Sequence, residues 1–260
     1  MRQFDVFVFD ENYDEAQGKL PQPPFTDPEL GWFFTSDWNK HLDEIEGEWV
    51  IFAHPSIKIN RNFLNNVAEV TDSFPMVDAF APRIRTDKGK FLGGYLLKPA
   101  AKGSGFVEID ENAPLRYVAA PHPFLAVFSR RIIQRTGGFD TTLPEYARLA
   151  DFTLRMMHAG GKMFSVPYLV AQATNEEAET VVSNANSEKA RGLMGVRDLK
   201  STAIVLSKAF GTEASVPFAL HHPSVIPTLF RNRKQRKEKR KAATLLSKLK
   251  ADFLKEVTAK

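Results

Sequence analysis

Apolar residues in this 260-residue chain fall into short runs separated by polar stretches. Runs that are almost continuously apolar are typical of strands buried on both faces of a parallel sheet. Such strands are predicted at residues 4–9, 49–53, 77–84, 91–97, 115–119, 124–129 and 163–166. Helical spacing of apolar residues predicts helices at residues 38–45, 60–70 and 130–136. This alternation predicts an α/β fold, with a mostly parallel sheet flanked by helices.

Residues 135–167 combine a glycine turn, an acidic loop and an amphipathic helix. Gly137-Gly138 ends one helix, because glycine tolerates a positive φ, and the apolar spacing from Ala150 predicts the next. The loop carries Glu145, and Asp151 lies in the first turn of the predicted helix. Both carboxylates are candidate general bases. A plain loop role for Glu145 and an interaction of Asp151 with the helix dipole remain open as alternatives.

Asp10 and Glu11 directly follow the first predicted strand. Open α/β sheets bind ligands at the carboxyl ends of their strands, so an acidic loop at this point is a candidate ligand site. The alternative is an Asx turn that caps the next helix. Residues 18–31 are rich in proline and glycine and are predicted to form a loop.

The basic charge of the chain lies in its last segment. Residues 231–260 hold 12 basic and 3 acidic residues, whereas the rest of the chain has a net charge of −5. Apolar residues of this tail share one helical face, namely Leu245, Leu246, Leu249, Phe253 and Val257. A basic amphipathic tail suits an anionic membrane surface or an acidic partner protein. The alternative is a helix that folds back on its own domain, and nucleic acid is not the partner we expect.

Composition excludes several classes of function. The chain has no cysteine, which removes disulfides, thiolate catalysis and Cys-ligated zinc. The acidic start MRQFDVFVFDENYDEA does not resemble a signal peptide. No apolar run approaches the roughly 18 residues that span a bilayer. We therefore expect a cytoplasmic protein that is soluble or peripheral to a membrane.

Four stretches, in order, resemble the nucleotide-sugar glycosyltransferases of the GT-A fold, in particular family 2 enzymes such as the rhamnosyltransferases. They are FDVFVFDENYD, SDWNKHLDEIEGEWVIFAHPSI, VDAFAPRIRTDKGKF, and SRRIIQRTGGFD together with ADFTLRMMHAGGKMFSVP. The resemblance covers roughly residues 1–175 and implies a Rossmann-like GT-A domain. A helical extension at 176–230 and the basic tail at 231–260 lie beyond it.

The resemblance implies which residues would bind the nucleotide-sugar donor. These are Asp10, Glu11, Asn39, His54, Ser56 and Arg148. Glu145 and Asp151 would lie on the catalytic side, next to a glycan acceptor. The implied process is the synthesis of a surface polysaccharide.

The chain also departs from the family pattern. His54-Pro55-Ser56 stands where the family has its metal-binding DxD, and Arg148-Leu149 stands where it has a catalytic pair of acids. The usual first βα unit is missing by this comparison. We therefore expect transfer without a divalent metal (Mn or Mg), with arginines near the diphosphate. The alternative is a catalytically inactive GT-A domain that binds a nucleotide or glycan, or acts as a scaffold.

Overall fold

A computed structural model describes residues 2–10, 13, 23–97, 106–143, 145–173, 199–210, 212–231 and 257. Its strands are β1 (Phe4–Phe9), β2 (Leu30–Thr35), β3 (Trp49–Ala53), β4 (Ile57–Lys58), β5 (Ala79–Arg85), β6 (Phe91–Leu92), β7 (Tyr95–Leu97), β8 (Phe106–Glu108), β9 (Arg116–Tyr117), β10 (Leu125–Ser129) and β11 (Met163–Ala173). Its helices are α1 (Arg61–Ser73), α2 (Arg130–Thr136), α3 (Glu145–His158), α4 (Leu199–Phe210), α5 (Thr212–His221) and α6 (Ile226–Phe230). This confirms the predicted α/β class.

The central sheet has the strand order β2-β1-β3-β10-β5-β11-β4. Strands β1, β2 and β3 are parallel, as are β5 and β11, whereas β10 is antiparallel to both of its neighbours, β3 and β5. The chain leaves β1 for β2 on one side and returns to β3 on the other. Such a reversal places a crevice at the carboxyl ends of β1 and β3.

Strand β1 is hydrogen-bonded to a neighbour along each edge. A further N-terminal strand could therefore pair only at an outer edge of the described sheet, next to β2 or β4. The missing first βα unit and the domain limits at 175 and 230 stay predictions.

Both faces of the sheet are covered by apolar side chains. One face carries Phe7, Phe52 and Phe128, which pack with α2 and α3. The opposite face carries Val6, Ile51 and Phe80, which pack with α1. Burial on both faces explains why β1, β3 and β10 read as nearly continuous apolar runs.

Four element predictions are corrected by the structure. Strand β2 is missing from the prediction, because the predicted loop at 18–31 covers its first two residues and residues 32–35 have no predicted element. The helix predicted at 38–45 is a turn with one 3-10 segment at Leu42–Glu44. Helix α3 begins at Glu145 rather than at Ala150. Strand β11 continues through Pro167 to Ala173, pairing with β5 on both sides of an irregularity.

The C-terminal helices belong to the same core as the sheet. Ala203, Val205 and Leu206 of α4 and Phe218 of α5 are buried in the cluster that contains Phe7. Val257 is buried in that cluster too, and its carbonyl oxygen accepts the N–H of Leu97 at 2.8 Å. The rest of the tail beyond Arg231 lies outside the described residues. Among the described helices, none combines the length and apolarity needed to cross a bilayer.

Candidate functional site

A pocket of about 300 Å³ opens at the carboxyl ends of β1 and β3. Residues that line it include Asp10, Tyr13, Trp32, Phe34, Pro55 and Lys58. Asp10 follows β1 directly and Pro55 follows β3, so both reach the pocket for the topological reason given above. Trp32 and Phe34 come from β2 and alternate with residues facing the other side of the sheet.

The aromatic wall of the pocket is held in place by its neighbours. The rings of Trp32 and Phe34 are nearly parallel, with centroids 6.3 Å apart. Phe25 meets Trp32 edge-on at 5.7 Å, and the guanidinium of Arg61 lies 5.2 Å above the ring of Phe25. Arg61 is itself held by Asp27, at 3.1 Å. A fixed aromatic surface can stack on a planar ring such as a nucleobase.

His54 is placed beside the pocket in one tautomer. Its Nδ1 accepts the backbone N–H of Ser56 at 3.1 Å and lies 2.7 Å from the hydroxyl of Ser56. The proton of the neutral ring is therefore on Nε2. Burial lowers the pKa of His54, while the nearby carboxylate of Asp10 acts in the opposite direction. The structure thus brings Asp10 near His54 and leaves the ring neutral at pH 7.

A second histidine, His122, is buried behind His54. It is fully inaccessible, and its Nδ1 accepts the N–H of Phe124 at 3.3 Å. Within the described part of the chain its Nε2 has no hydrogen-bond partner, and neither has the buried hydroxyl of Tyr95, whose ring centroid lies 6.4 Å from that of His122. Burial, with a smaller contribution from His54, lowers the pKa of His122 to about 3. His122 therefore packs as a neutral residue.

Arg148 lies at the same end of the sheet on its opposite face. Its guanidinium carbon is 5.8 Å from the ring centroid of Phe9, the last residue of β1. Its Nε donates to the carbonyl of Leu143 at 2.8 Å. The side chain of Arg148 thus packs against Phe9, the residue that precedes Asp10.

Asn39 makes a structural contact that the sequence did not predict. Its Nδ2 donates to the carbonyl of Phe139 at 3.0 Å, and its Oδ1 accepts the N–H of Phe139 at 2.7 Å. A Cβ on Gly138 would come within 2.5 Å of the same Oδ1. The amide therefore fastens the turn after β2 to the Gly137-Gly138 loop. Its predicted role in nucleotide binding stays a prediction.

Asp151 is buried in an ion cluster rather than exposed in a cleft. It is 1% exposed, and its carboxylate lies 2.9 Å from Nε of Arg155 and 2.5 Å from Nζ of Lys208. Lys208 of α4 also lies 2.7 Å from Asp140. In this position the carboxylate holds α4 against α3, so an acceptor hydroxyl would reach it only after a rearrangement. Its predicted role as a base stays a prediction without support from this geometry.

Two predicted residues cannot be placed at side-chain level. Glu11 lies outside the described residues, and Glu145 is described only as the first residue of α3. A divalent metal needs several converging oxygen or imidazole ligands. Within the described ranges, no three His, Asp or Glu side chains converge in such a group. Nδ1 of His54 already accepts the N–H of Ser56, which leaves the neutral ring without a free acceptor nitrogen for a metal. Transfer without a divalent metal stays a prediction.

Sequence reasoning missed the pocket residues of β2 and β4, namely Trp32, Phe34 and Lys58. The signal was present as the aromatic run Trp32-Phe33-Phe34 after a proline-rich segment. Aromatic residues are enriched in strands, so the run could have been assigned to one.

The fold as a whole is similar to that of solved glycosyltransferase structures, although no similar sequence is found. No family model matches the sequence, and no curated protein matches it. Among solved structures, GalNAc-T7 with UDP, GalNAc and Mn²⁺ superposes with a TM-score of 0.57 at 10% identity, over 93% of this chain and 54% of that one. The chain thus spans about half the length of that protein.

Two further structures are similar over most of this chain. Mannosyltransferase PcManGT from Pyrobaculum calidifontis, with GDP-Man and Mn²⁺, has a TM-score of 0.42 at 15% identity, over 98% of this chain and 79% of its own. S. aureus TarS 1-349 with UDP-GlcNAc has a TM-score of 0.46 at 12% identity, over 93% and 79%. Because both TM-scores are below 0.5, the assignment of the fold depends on the similarity to GalNAc-T7 and on the sheet order. The chain has the GT-A fold of the nucleotide-sugar glycosyltransferases.

Proposed function

We propose that this chain binds a nucleotide-sugar donor in the pocket at the carboxyl ends of β1 and β3 and transfers the sugar to a glycan acceptor. The observation that carries the proposal is the pocket itself, which is lined by Asp10, Lys58 and the aromatic residues Trp32 and Phe34. It lies at the crevice where open α/β sheets bind nucleotides.

Each pocket group has a chemical counterpart in a nucleotide sugar. The rings of Trp32 and Phe34 offer a surface on which a base stacks, a contact of about 1–3 kcal/mol per base. The carboxylate of Asp10 can accept N–H groups of the base or hydroxyls of the ribose. The ammonium group of Lys58 can neutralise a phosphate. Together they fit a nucleoside diphosphate better than a neutral sugar alone.

The departing diphosphate needs positive charge as the glycosidic bond breaks. The structures of GalNAc-T7 and PcManGT contain Mn²⁺. In this chain Lys58 lines the pocket, and Arg148 lies at the same end of the sheet on its opposite face. We therefore include metal-independent transfer in the proposal, with the ammonium group of Lys58 next to the diphosphate.

The burial of Asp151 favours a second candidate function. Its carboxylate is held by Lys208 and Arg155, so it is not available to a substrate. If Glu145 does not act as the base, the chain binds a donor without turning it over. It would then be an inactive GT-A domain that serves as a nucleotide-binding or scaffold protein.

The wider setting is proposed on the family resemblance alone. The acceptor would be a growing surface polysaccharide, and the protein would act in the cytoplasm, peripheral to the membrane. The basic tail at 231–260 would bind an anionic membrane or an acidic partner protein. Only Arg231 and Val257 of this tail are described.

A donor-hydrolysis screen tests the proposal. The purified chain is incubated with UDP-, GDP- and dTDP-sugars, with and without Mn²⁺, and the released nucleoside diphosphate is measured. We expect turnover with one donor that does not depend on the metal. The Asp10→Ala variant should lower it about tenfold or more, because a hydrogen bond to a charged group contributes about 1.5–3 kcal/mol.

Matched variants separate the two candidates. Asp43→Ala removes an exposed carboxylate outside the pocket and should leave turnover unchanged. Glu145→Ala should abolish turnover while donor affinity is retained. Nucleotide binding without turnover would select the inactive domain. A protein that neither binds nor hydrolyses any of these donors would refute both candidates.

A further inference from the structure

Most of the residues that line the pocket come from two separate segments of the chain. The segment 24–34 contributes Pro24, Trp32 and Phe34. The segment 55–59 contributes Pro55, Ile57, Lys58 and Ile59. Among the described strands, β2 of the first segment pairs with β1, and β4 of the second pairs with β11. Strand pairing therefore does not join the two segments to each other, and the distance between them depends on other contacts.

The side chain of Arg61 joins the two segments. Arg61 is the first residue of α1, two residues after Ile59, and its Nη1 donates to Oδ2 of Asp27 at 3.1 Å. Its guanidinium carbon lies 5.2 Å from the ring centroid of Phe25. One side chain at the end of the second segment thus makes two contacts with the first. We call Arg61, Asp27 and Phe25 the clasp.

The backbone is fixed at both ends of the clasp. Oδ1 of Asp27 accepts the N–H of Glu29 at 3.0 Å, in the turn that leads into β2. At the other end, Asn60 caps α1 by accepting the N–H of Phe63 at 2.8 Å, and the side chain of Phe63 is buried. Because neither end can shift easily, the contacts of the clasp also fix the distance between the two segments.

The clasp acts on Trp32 through Phe25, whose ring meets that of Trp32 edge-on at 5.7 Å. The indole N–H of Trp32 is buried and has no hydrogen-bond partner among the described residues. A buried donor without a partner is unfavourable, so Trp32 would gain a hydrogen bond by turning its N–H towards water. The ring stays in the wall of the pocket because its neighbours oppose that movement, and the clasp fixes one of these neighbours.

We propose that Arg61 is a positioning residue of the pocket, which fastens the segment 24–34 to α1 and holds Trp32 where a nucleobase stacks. Arg61 acts through Asp27 and Phe25 rather than by contact with the ligand. The inference rests on the proposed nucleotide binding and adds a control of that site by ionic strength. The side chain of Arg61 is 63% exposed, so added salt screens its attraction to Asp27 and loosens the clasp.

Acrylamide quenching of tryptophan fluorescence tests the clasp without any nucleotide. Of the three tryptophans, Trp38 and Trp49 are only 3% and 7% exposed, so a change in quenching reports on Trp32. We expect Arg61→Gln to raise the quenching constant about twofold, the scale on which one exposed ion pair and one cation–π contact shift an equilibrium. Arg61→Lys keeps the charge and should leave the constant nearly unchanged. Added salt should raise it in the unchanged chain and not in Arg61→Gln.

Calorimetric titration with UDP, GDP and dTDP then tests the positioning role. The nucleotide that binds the unchanged chain should bind Arg61→Gln about three- to tenfold more weakly, because both contacts of the clasp are lost. Arg61→Lys should restore most of the affinity.

Arg131→Gln is the matched control for both measurements. The side chain of Arg131 is 73% exposed and pairs with Asp78 at 2.6 Å, as Arg61 pairs with Asp27. Asp78 lies directly before β5, which runs in the same direction as β3, so this pair is at the end of the sheet opposite to the pocket. Arg131→Gln should change neither quenching nor affinity. Thermal unfolding of each variant is compared first, so that a general loss of structure is not mistaken for an opened pocket.

The two measurements separate this inference from the proposed function. Equal quenching in Arg61→Gln and in the unchanged chain would overturn the clasp, whatever the nucleotides do. Raised quenching with unchanged nucleotide affinity would overturn the positioning role, because Trp32 would then move without any effect on the ligand. Raised quenching in a chain that binds none of the three nucleotides would refute the proposed function and still support the hold of Arg61 on Trp32.

Discussion

A Lys208→Met variant should lose about 3 kcal/mol of unfolding free energy. Lys208 is buried, with its ammonium 2.7 Å from Asp140 and 2.5 Å from Asp151. Removing one partner of a buried ion pair leaves an uncompensated charge, which costs about 3–5 kcal/mol. Arg155 still compensates Asp151, so the lower end of that range applies. Urea unfolding at neutral pH, followed by circular dichroism, measures the change.

The matched control is Lys90→Met, which removes an exposed lysine from the turn before β6 and should change stability by less than about 0.5 kcal/mol. The double variant Lys208→Met/Asp151→Asn should lose less than the sum of the single variants, because the uncompensated charge is removed with its partner. A loss below about 1 kcal/mol in Lys208→Met would contradict the ion cluster. It would also mean that α4 is held only by apolar packing.

Acidification should destabilise this protein through His122. The pKa of His122 is about 3 in the folded protein, against 6.5 for an unperturbed histidine. Between these values the unfolded chain binds a proton that the folded protein does not, so stability falls as the pH decreases from 6.5 to 3. The slope is about 1.4 kcal/mol per pH unit. At about pH 5 the contribution of His122 is therefore a loss of about 2 kcal/mol.

The His122→Asn variant isolates this contribution. Asparagine does not titrate, and its Oδ1 can replace Nδ1 as the acceptor for the N–H of Phe124. Urea unfolding at about pH 7 and about pH 5 should show a smaller acid loss in this variant than in the unchanged chain, by about 2 kcal/mol. His221→Asn, at the exposed end of α5, should keep the full acid loss. Identical acid losses in His122→Asn and the unchanged chain would mean that His122 does not control the effect.

The strands that lie inside the sheet were predictable from sequence because they are buried on both faces. Strands β3 and β10 are buried along their whole length, which requires unbroken apolar runs. Among the described strands β2 pairs with β1 alone, and it is half-buried, so its apolar pattern is weaker. It also follows a proline-rich segment, which favoured a loop. Missing β2 meant missing Trp32 and Phe34, and with them the aromatic wall of the pocket.

Contacts between distant segments explain the other errors. Asn39 is hydrogen-bonded to Phe139, which lies 100 residues later in the chain. Asn39 belongs to residues 38–45, which form a turn although their apolar spacing predicts a helix. Lys208 contacts Asp140, which lies 68 residues earlier in the chain, and it also contacts Asp151. Lys208 itself belongs to the segment 176–230, which was predicted to be an extension outside the GT-A domain. No local pattern encodes such contacts. The same tertiary contacts place Asp151 in the core instead of a cleft.

Part of the site followed from topology alone. Asp10 and His54 come after neighbouring parallel strands, and the carboxyl ends of such strands meet at one edge. Their proximity could therefore have been predicted, and Asp10 is near enough to His54 to act on its pKa. His122 joins them through the antiparallel pairing of β10 with β3, which the sequence did not specify.

The central claim is that a nucleoside diphosphate binds against the aromatic wall of the pocket. The most direct measurement is calorimetric titration with UDP, GDP and dTDP of the unchanged chain, of Trp32→Ala and of Tyr168→Ala, a control that removes a half-exposed aromatic residue from β11. We expect one nucleotide to bind the unchanged chain and Tyr168→Ala equally, and Trp32→Ala about tenfold more weakly, because about 1–3 kcal/mol of stacking is lost. Absence of binding by all three nucleotides, or equal affinity in Trp32→Ala, would contradict the claim.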